Sequence, residues 1–477
     1  MQNYSKVQFI GLISAPILSL TLLFLSPPEG MSVHAWHTTS VALFMAIYWI
    51  TEAIPMYVTS LIPLLFFPVL GIANIKTATA PYGHPLIFLF LGGFILAGAI
   101  EKWGLHKRIA LSIIKFMGFK PQNIIAGFML GSAFMSMWIS NTATALMMLP
   151  IGIFVIKIYK DTLGESKKLH HFTIALLLAI AYSCSIGGVG TLIGTPPNAL
   201  FAAFMQDTYN MEISFAKWTL IGIPFVIISL PLVFLFLTKI LFPINKIEAV
   251  DSTKFISELN KIGKISKEEK VVLTVFVFTA FFWMTRQLFA GIIPGISDSG
   301  IAIFAGIVLF IIPVKSGGFI IEWKDVQKIS WGILILFGGG LSLAHGIKES
   351  GLSEWIANSI LGNGNISILW VTVILTTAIV FLTELTSNSA TTATFLPIIG
   401  SIAVGMQSNP LELLIPITIG ASCAFMLPIA TPPNAIVFSS GEIKIKDMSK
   451  AGFGLNIIFI VVIILLTRYL APLVFNY

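Results

Sequence analysis

Charge is what this sequence has least of. Asp, Glu, Lys and Arg make up 10 % of its 477 residues and hydrophobic types 56 %, whereas soluble domains carry about 25 % charged residues. Too little polar surface remains to cover a globule of this size, which excludes a soluble fold. Cysteine is scarce as well. Cys184 and Cys423 lie in apolar segments without metal-ligand spacing, which argues against a disulfide framework and against a thiolate metal site. The apolar segments also lack a nucleophile–base pair or a metal-binding cluster, so a membrane enzyme would have no residues to work with. Lys and Arg are missing from 121–156, 171–216 and 349–443. Any anion bound there meets no cationic side chain.

What the chain does have is apolar length. Runs able to cross a bilayer occur at 8–26, 39–54, 57–72, 84–100, 172–194, 217–242, 270–285, 298–314, 330–347, 411–429 and 452–475. They predict an all-α polytopic membrane protein with about 11 transmembrane helices. Pro27-Pro28-Glu29, rather than a small-residue cleavage site, follows the first run, which is therefore read as a retained helix. The net charge of +7 comes from Lys and Arg gathered in alternate loops, 101–120, 157–168, 239–270, 315–328 and 444–450. With the N-terminus in the cytoplasm, 23 of the 28 basic residues lie inside and five outside (Lys76, Lys217, Arg286, Lys348 and Arg468). This is the positive-inside bias, and it explains the charge without nucleic acid as a partner.

Internal repetition sets the organisation. Trp49-Ile50-Thr51 recurs as Trp283-Met284-Thr285, and Leu91-Gly92-Gly93 as Phe337-Gly338-Gly339. Ser140-Asn141-Thr142 recurs as Ser387-Asn388-Ser389, and Thr195-Pro196-Pro197-Asn198 as Thr431-Pro432-Pro433-Asn434. The order is kept, with offsets of 234 to 247 residues. An N-terminal helix and loop (1–38) would precede a first repeat (39–243); a cytoplasmic linker (244–269) would lead to a second (270–477). The stretches 121–156 and 365–406, each interrupted by a polar Ser-Asn cluster, are read as two re-entrant hairpins. An odd number of crossings between them makes the repeats inverted. Amphipathic segments 104–118 and 351–361 are either interfacial arms or ordinary membrane-end helices.

At a hairpin tip, short hydroxyl and amide side chains compete for backbone bonds and end helices. The prolines of the Thr-Pro-Pro-Asn breaks block helix continuation and leave carbonyls such as that of Gly194 without partners. Such groups persist in a membrane only when they face protein, water or a bound ion. Hydroxyl and carbonyl oxygens without carboxylates suit a hard singly charged cation such as sodium. Helix N-termini in the same loops suit an anion. Serine and threonine in membrane helices also serve as plain interhelical glue; the duplication of the motif is what favours a site. Glu384 would either tune a cation site or bond only to backbone. Glu52 is as compatible with a structural role as with a functional one.

Trp49-Ile50-Thr51-Glu52-Ala53-Ile54-Pro55, Glu101-Lys102-Trp103, the two Ser-Asn motifs, Ser297-Asp298-Ser299-Gly300 and Ala430-Thr431-Pro432-Pro433-Asn434 resemble the divalent anion:sodium symporter family, with its INDY-like bacterial dicarboxylate transporters and sodium-coupled citrate carriers. The resemblance covers nearly the whole chain. It implies a homodimer in the bacterial inner membrane, with a scaffold domain and a transport domain working as an elevator. It implies substrate binding by Ser140, Asn141, Thr142, Thr195, Ser387, Asn388, Ser389 and Thr431. It also implies one sodium near Ser136, Ser140, Asn141 and Gly194 and another near Thr383, Ser387, Asn388 and Ala430. Sodium would be co-transported with a C4-dicarboxylate such as succinate, malate or fumarate, and no organic cofactor is called for. Ser389 stands where the family commonly has Thr, which leaves open citrate or sulfate as cargo and exchange as the mode. A channel or receptor is the alternative of a different class; it would show no saturable uptake.

Overall fold

The computed structural model describes residues 4–164, 166–244, 247, 263–315, 317–361 and 367–477. Wherever it is regular within them the chain is helical, apart from one isolated bridge between Pro313 and Phe319. The expected linker 244–269 falls mostly outside the described residues.

Helix starts follow local chemistry. α1 (Lys6–Phe24) opens on a capping box in which Ser5 Oγ accepts the Gln8 amide and Gln8 Oε1 accepts the Ser5 amide. α2 (Val33–Thr51) is capped by Ser32 and ends at Glu52, a non-glycine residue with φ of 48°. It begins before the apolar run at 39. Thr38 and Thr39 return their hydroxyls to the carbonyls of His34 and Ala35 at 2.8 Å, so the polar turn stays helical. The run 57–72 forms two pieces, α3 (Met56–Thr59) and α4 (Ile62–Val69). After α5 (Ile75–Thr79), α6 (Pro85–Lys102) leads to α7 (Leu105–Met117), which lies between Gly104 and Gly118, both at positive φ.

The first polar cluster divides the stretch 121–156 into α8 (Pro121–Ser136) and α9 (Asn141–Leu163). α10 (Lys167–Val189), α11 (Pro196–Tyr209) and α12 (Phe215–Leu235) follow, the last continuing as a π-helical turn over Phe236–Leu241. α13 (Lys267–Phe289) starts at a second capping box, Ser266 with Glu269. Then come α14 (Asp298–Ile311), α15 (Trp323–Val326), α16 (Trp331–Glu349) and α17 (Leu352–Leu361). The second polar cluster separates α18 (Ile368–Leu382) from α19 (Asn388–Gly405). α20 (Leu411–Ala421), α21 (Pro432–Phe438), α22 (Ile445–Tyr469) and α23 (Ala471–Phe475) close the chain.

Among the described residues eight helical spans are long and apolar enough to cross a membrane, and four shorter apolar helices accompany them. The centre is α10, buried at every residue from Phe172 to Val189 and packed on α8, α9, α12 and α21. Small residues let these helices approach closely. A Cβ on Gly187 would strike the Ala133 backbone, and one on Gly222 the carbonyls of Val189 and Gly190. α1 by contrast exposes Val7, Phe9, Ile10, Ile17 and Leu20, an apolar surface that calls for lipid or protein cover.

Candidate functional site

Two helix breaks face each other across the molecule, and each is organised around an asparagine. In the first, Ser140 caps α9 by accepting the Ala143 amide at 3.1 Å, and Asn141 is the first helical residue. The Ser136 hydroxyl, at the end of α8, donates to Asn141 Oδ1. In the second, Ser387 and Asn388 hold the same places on α19, and the Thr383 hydroxyl lies 2.8 Å from Asn388 Oδ1 and 2.8 Å from the Ala421 carbonyl. Each asparagine amide is thus oriented by a hydroxyl five residues earlier, on the other side of the break.

The Thr-Pro-Pro-Asn segments lie against these breaks. Proline at the first turn tolerates the lost N–H, so Pro196 starts α11 and Pro432 starts α21. The sequence expectation gave the prolines the main part; the structure adds the asparagines that follow. Asn198 Nδ2 donates to the carbonyls of Gly188 and Thr191 at 3.0 and 2.7 Å. Asn434 Nδ2 donates to those of Ala424 and Leu427, both at 3.1 Å. Trp218 Nε1 adds a bond of 2.9 Å to the Val189 carbonyl. These carbonyls lie in the last turn of α10 or in the unwound stretches after α10 and α20, and side-chain donors bond to them.

The halves differ in what holds the unwound strand from the other side. In the first, the Thr191 hydroxyl donates to the Met137 carbonyl at 2.5 Å. In the second, Glu384 is buried and its carboxylate collects the amides of Phe425 (2.7 Å), Met426 (2.9 and 3.0 Å) and Leu427 (3.3 Å), with Asn456 Nδ2 at 2.8 Å. Of the two roles open to Glu384, the backbone one is the one observed. It accounts for the unwound end of the apolar run 411–429: the helix stops at Ala421, and the amides of residues 425–427 turn toward a carboxylate.

The two breaks border one cavity of about 1100 Å³. Ser140, Asn141, Thr142, Gly194 and Thr195 line it from the first half, and Ser387, Asn388, Ser389, Ala430 and Thr431 from the second. Of the residues expected at the site, Ser136 and Thr383 alone are absent from its lining; both are fully buried behind the asparagines they orient. Phe90, Phe94, Ile333 and Leu336 form an apolar wall, and Ser5, Gln8 and Glu52 lie at the rim. Among the described lining residues Glu52 is the only charged one, and Gln8 Nε2 donates to its carbonyl at 3.2 Å. The N-termini of α9, α11 and α19 all end at this cavity, so it combines amide dipoles for an anion with neutral oxygens for a small cation.

Arg286, the repeat counterpart of Glu52, is engaged elsewhere. It lies 3.0 Å from Asp298 and 2.5 Å from Glu212, while Asp298 also accepts the Phe215 amide at 2.8 Å. The two cysteines are free and buried.

The chain is similar to known proteins over nearly its full length. Residues 6–475 match the family described as the sodium:sulfate symporter transmembrane region. The sodium-dependent dicarboxylate transporter SdcS of Staphylococcus saprophyticus is 43 % identical over 99 % of this chain and 93 % of its own length. The SdcS of Staphylococcus aureus strain USA300 is 42 % identical over 99 % of this chain and 92 % of its own. In fold, the chain is similar to the crystal structure of the Alcanivorax borkumensis YdaH transporter, with a TM-score of 0.55 and 12 % identity over 97 % of both chains. A family match over nearly the full length, on a helical fold with paired breaks around one cavity, leads to one conclusion: this chain belongs to the sodium:sulfate symporter family.

Proposed function

We propose that the chain is a secondary active carrier that imports C4-dicarboxylates such as succinate, malate and fumarate together with sodium ions across the bacterial inner membrane. The observation that carries this reading is the pairing of Asn141 and Asn388, each oriented by one hydroxyl and both lining one cavity with no Lys or Arg among its described lining residues. The name of the staphylococcal relatives supports the substrate class.

In this reading Ser140, Asn141, Thr142 and Thr195 receive one carboxylate and Ser387, Asn388, Ser389 and Thr431 the other. One sodium sits near Ser136, Ser140, Asn141 and Gly194, the second near Thr383, Ser387, Asn388 and Ala430. A charge at mid-membrane costs about 2.5–3.5 kcal/mol on insertion scales. A dianion among neutral groups is therefore stable only with cations bound beside it, and coupling to sodium follows from how the substrate binds. Residues 39–243 and 270–477 are inverted repeats whose hairpins, 121–156 and 365–406, enter from opposite faces. The N-terminus is cytoplasmic, two chains form a homodimer, and the motif-bearing helices move as an elevator against the flanking ones.

Competition against labelled succinate in proteoliposomes tests the substrate assignment. Malate and fumarate should compete at concentrations similar to succinate, and citrate and sulfate should not. Stronger competition by citrate or sulfate would reassign the cargo. Uptake driven by internal dicarboxylate without a sodium gradient would reassign the mode to exchange.

A further inference from the structure

The matched bonds of Asn198 and Asn434 define which residues of the two halves are equivalent. Each amide reaches back ten and seven residues, to Gly188 and Thr191 in one half and to Ala424 and Leu427 in the other. Relative to these asparagines Gly188 and Ala424 hold the same place, Gly188 in the last turn of α10 and Ala424 beyond the end of α20.

At Gly188 the missing methyl matters. A Cβ built there would lie 2.7 Å from Asn141 Oδ1, 3.1 Å from Asn141 Nδ2 and 3.2 Å from the Gly194 carbonyl oxygen. The first of these is closer than real carbon–oxygen contacts allow. Glycine is a poor helix former, yet it stands in the last turn of α10, where no positive φ calls for it. Space explains its presence. The hollow beside its Cα is bounded by an amide oxygen and a backbone carbonyl oxygen, and the Ser136 hydroxyl is bonded to the same amide oxygen. Neutral oxygens of this kind are what a sodium ion takes as ligands.

We infer that Gly188, by lacking a side chain, sets the size of the first cation cradle. This rests on the sodium-coupled reading above. A hollow of this width favours sodium over the smaller lithium, and a methyl group placed in it should penalise sodium more than lithium.

The test is uptake of labelled succinate in proteoliposomes, titrated with sodium and separately with lithium. In Gly188→Ala the sodium concentration for half-maximal uptake should rise about tenfold or more, the change expected when a good ligand to a charged group is lost. The maximal rate should be approached at saturating sodium, and lithium should lose less than sodium. Gly190→Ala is the control for altering the same helix end. Its Cβ would meet the flexible Met137 side chain at 3.0 Å and the Gly187 carbonyl oxygen at 3.1 Å, with no contact to Asn141 or Gly194 among its nearest atoms, so its sodium dependence should stay close to that of the unmodified chain. If Gly188→Ala does not accumulate, the unmodified chain decides: half-maximal uptake should need less sodium than lithium, and a need for less lithium overturns the inference. Unchanged sodium dependence in Gly188→Ala, or equal losses for both ions, overturns the inference. Sodium-induced thermal stabilisation of the detergent-solubilised chain separates this failure from failure of the transport reading. Absence of sodium-dependent uptake in the unmodified chain would overturn that reading, while loss of the stabilisation in Gly188→Ala would still uphold the cradle.

Discussion

Glu384 grips the Met426 amide with both carboxylate oxygens, at 3.0 and 2.9 Å, and so fixes the unwound stretch that follows α20. Four donors converge on this carboxylate inside the protein. A buried donor left unsatisfied costs roughly 1–3 kcal/mol. Glu384→Ala strands all of them and is expected to lower the thermal unfolding temperature in detergent sharply and to reduce accumulation in the membrane. Asn456→Ala leaves the carboxylate its three backbone donors and should shift unfolding far less.

The hydroxyls behind the two asparagines make a milder and more specific prediction. Ser136→Ala and Thr383→Val remove the group that orients each Oδ1. A typical hydrogen bond contributes about 0.5–1.5 kcal/mol, so the sodium concentration for half-maximal succinate uptake should rise about two- to tenfold. Thr383→Ser keeps the hydroxyl and should stay near the unmodified value. Uptake titrated with sodium measures all three.

Arg286 has two carboxylate partners in different surroundings. The Asp298 side chain is 7 % exposed and that of Glu212 60 %. Removing one partner of a buried pair costs about 3–5 kcal/mol, whereas exposed pairs contribute about 0–1 kcal/mol. Asp298→Ala, which also strands the Phe215 amide, should destabilise strongly. Glu212→Gln should be nearly silent and more so at high salt. Thermal unfolding of the two variants side by side checks the contrast.

Ser389 lines the cavity in the place that Thr142 holds in the first Ser-Asn motif. Ser389→Thr adds one methyl group, and a buried methylene is worth about 0.8 kcal/mol. If that methyl packs on the four-carbon chain, KM for succinate should fall by about fourfold. A rise in KM would mean that the pocket is already full at this point.

The paired site could be read from sequence because it is written twice. Asn141 and Asn388 share neighbours and spacing, and a pattern of residue types survives without coordinates. The unwinding near Gly194 and Ala430 was readable for the same reason, since proline acts on its own backbone. What could not be read is whatever depends on a distant backbone group. Glu384 meets amides 41 to 43 residues away, and Asn456 meets Glu384 across 72. An amide N–H carries no residue signature, so nothing in the sequence chose between the two roles for Glu384. Gly188 was hidden differently: it looks like one glycine of a run, and only the positions of Asn141 and Gly194 give its missing side chain a meaning. The early start of α2 was concealed by His34, Thr38 and Thr39, whose polarity outweighed their helical bonds in an apolar-run reading.

The most direct measurement is uptake of labelled succinate by proteoliposomes holding the purified chain, with an inward sodium gradient and with sodium replaced by choline. Saturable uptake that requires sodium, and that Asn141→Ala and Asn388→Ala each abolish while still folding, is the predicted result. Uptake that is indifferent to sodium, or that persists in both asparagine variants, would contradict the assignment of this cavity as the shared site of dicarboxylate and sodium.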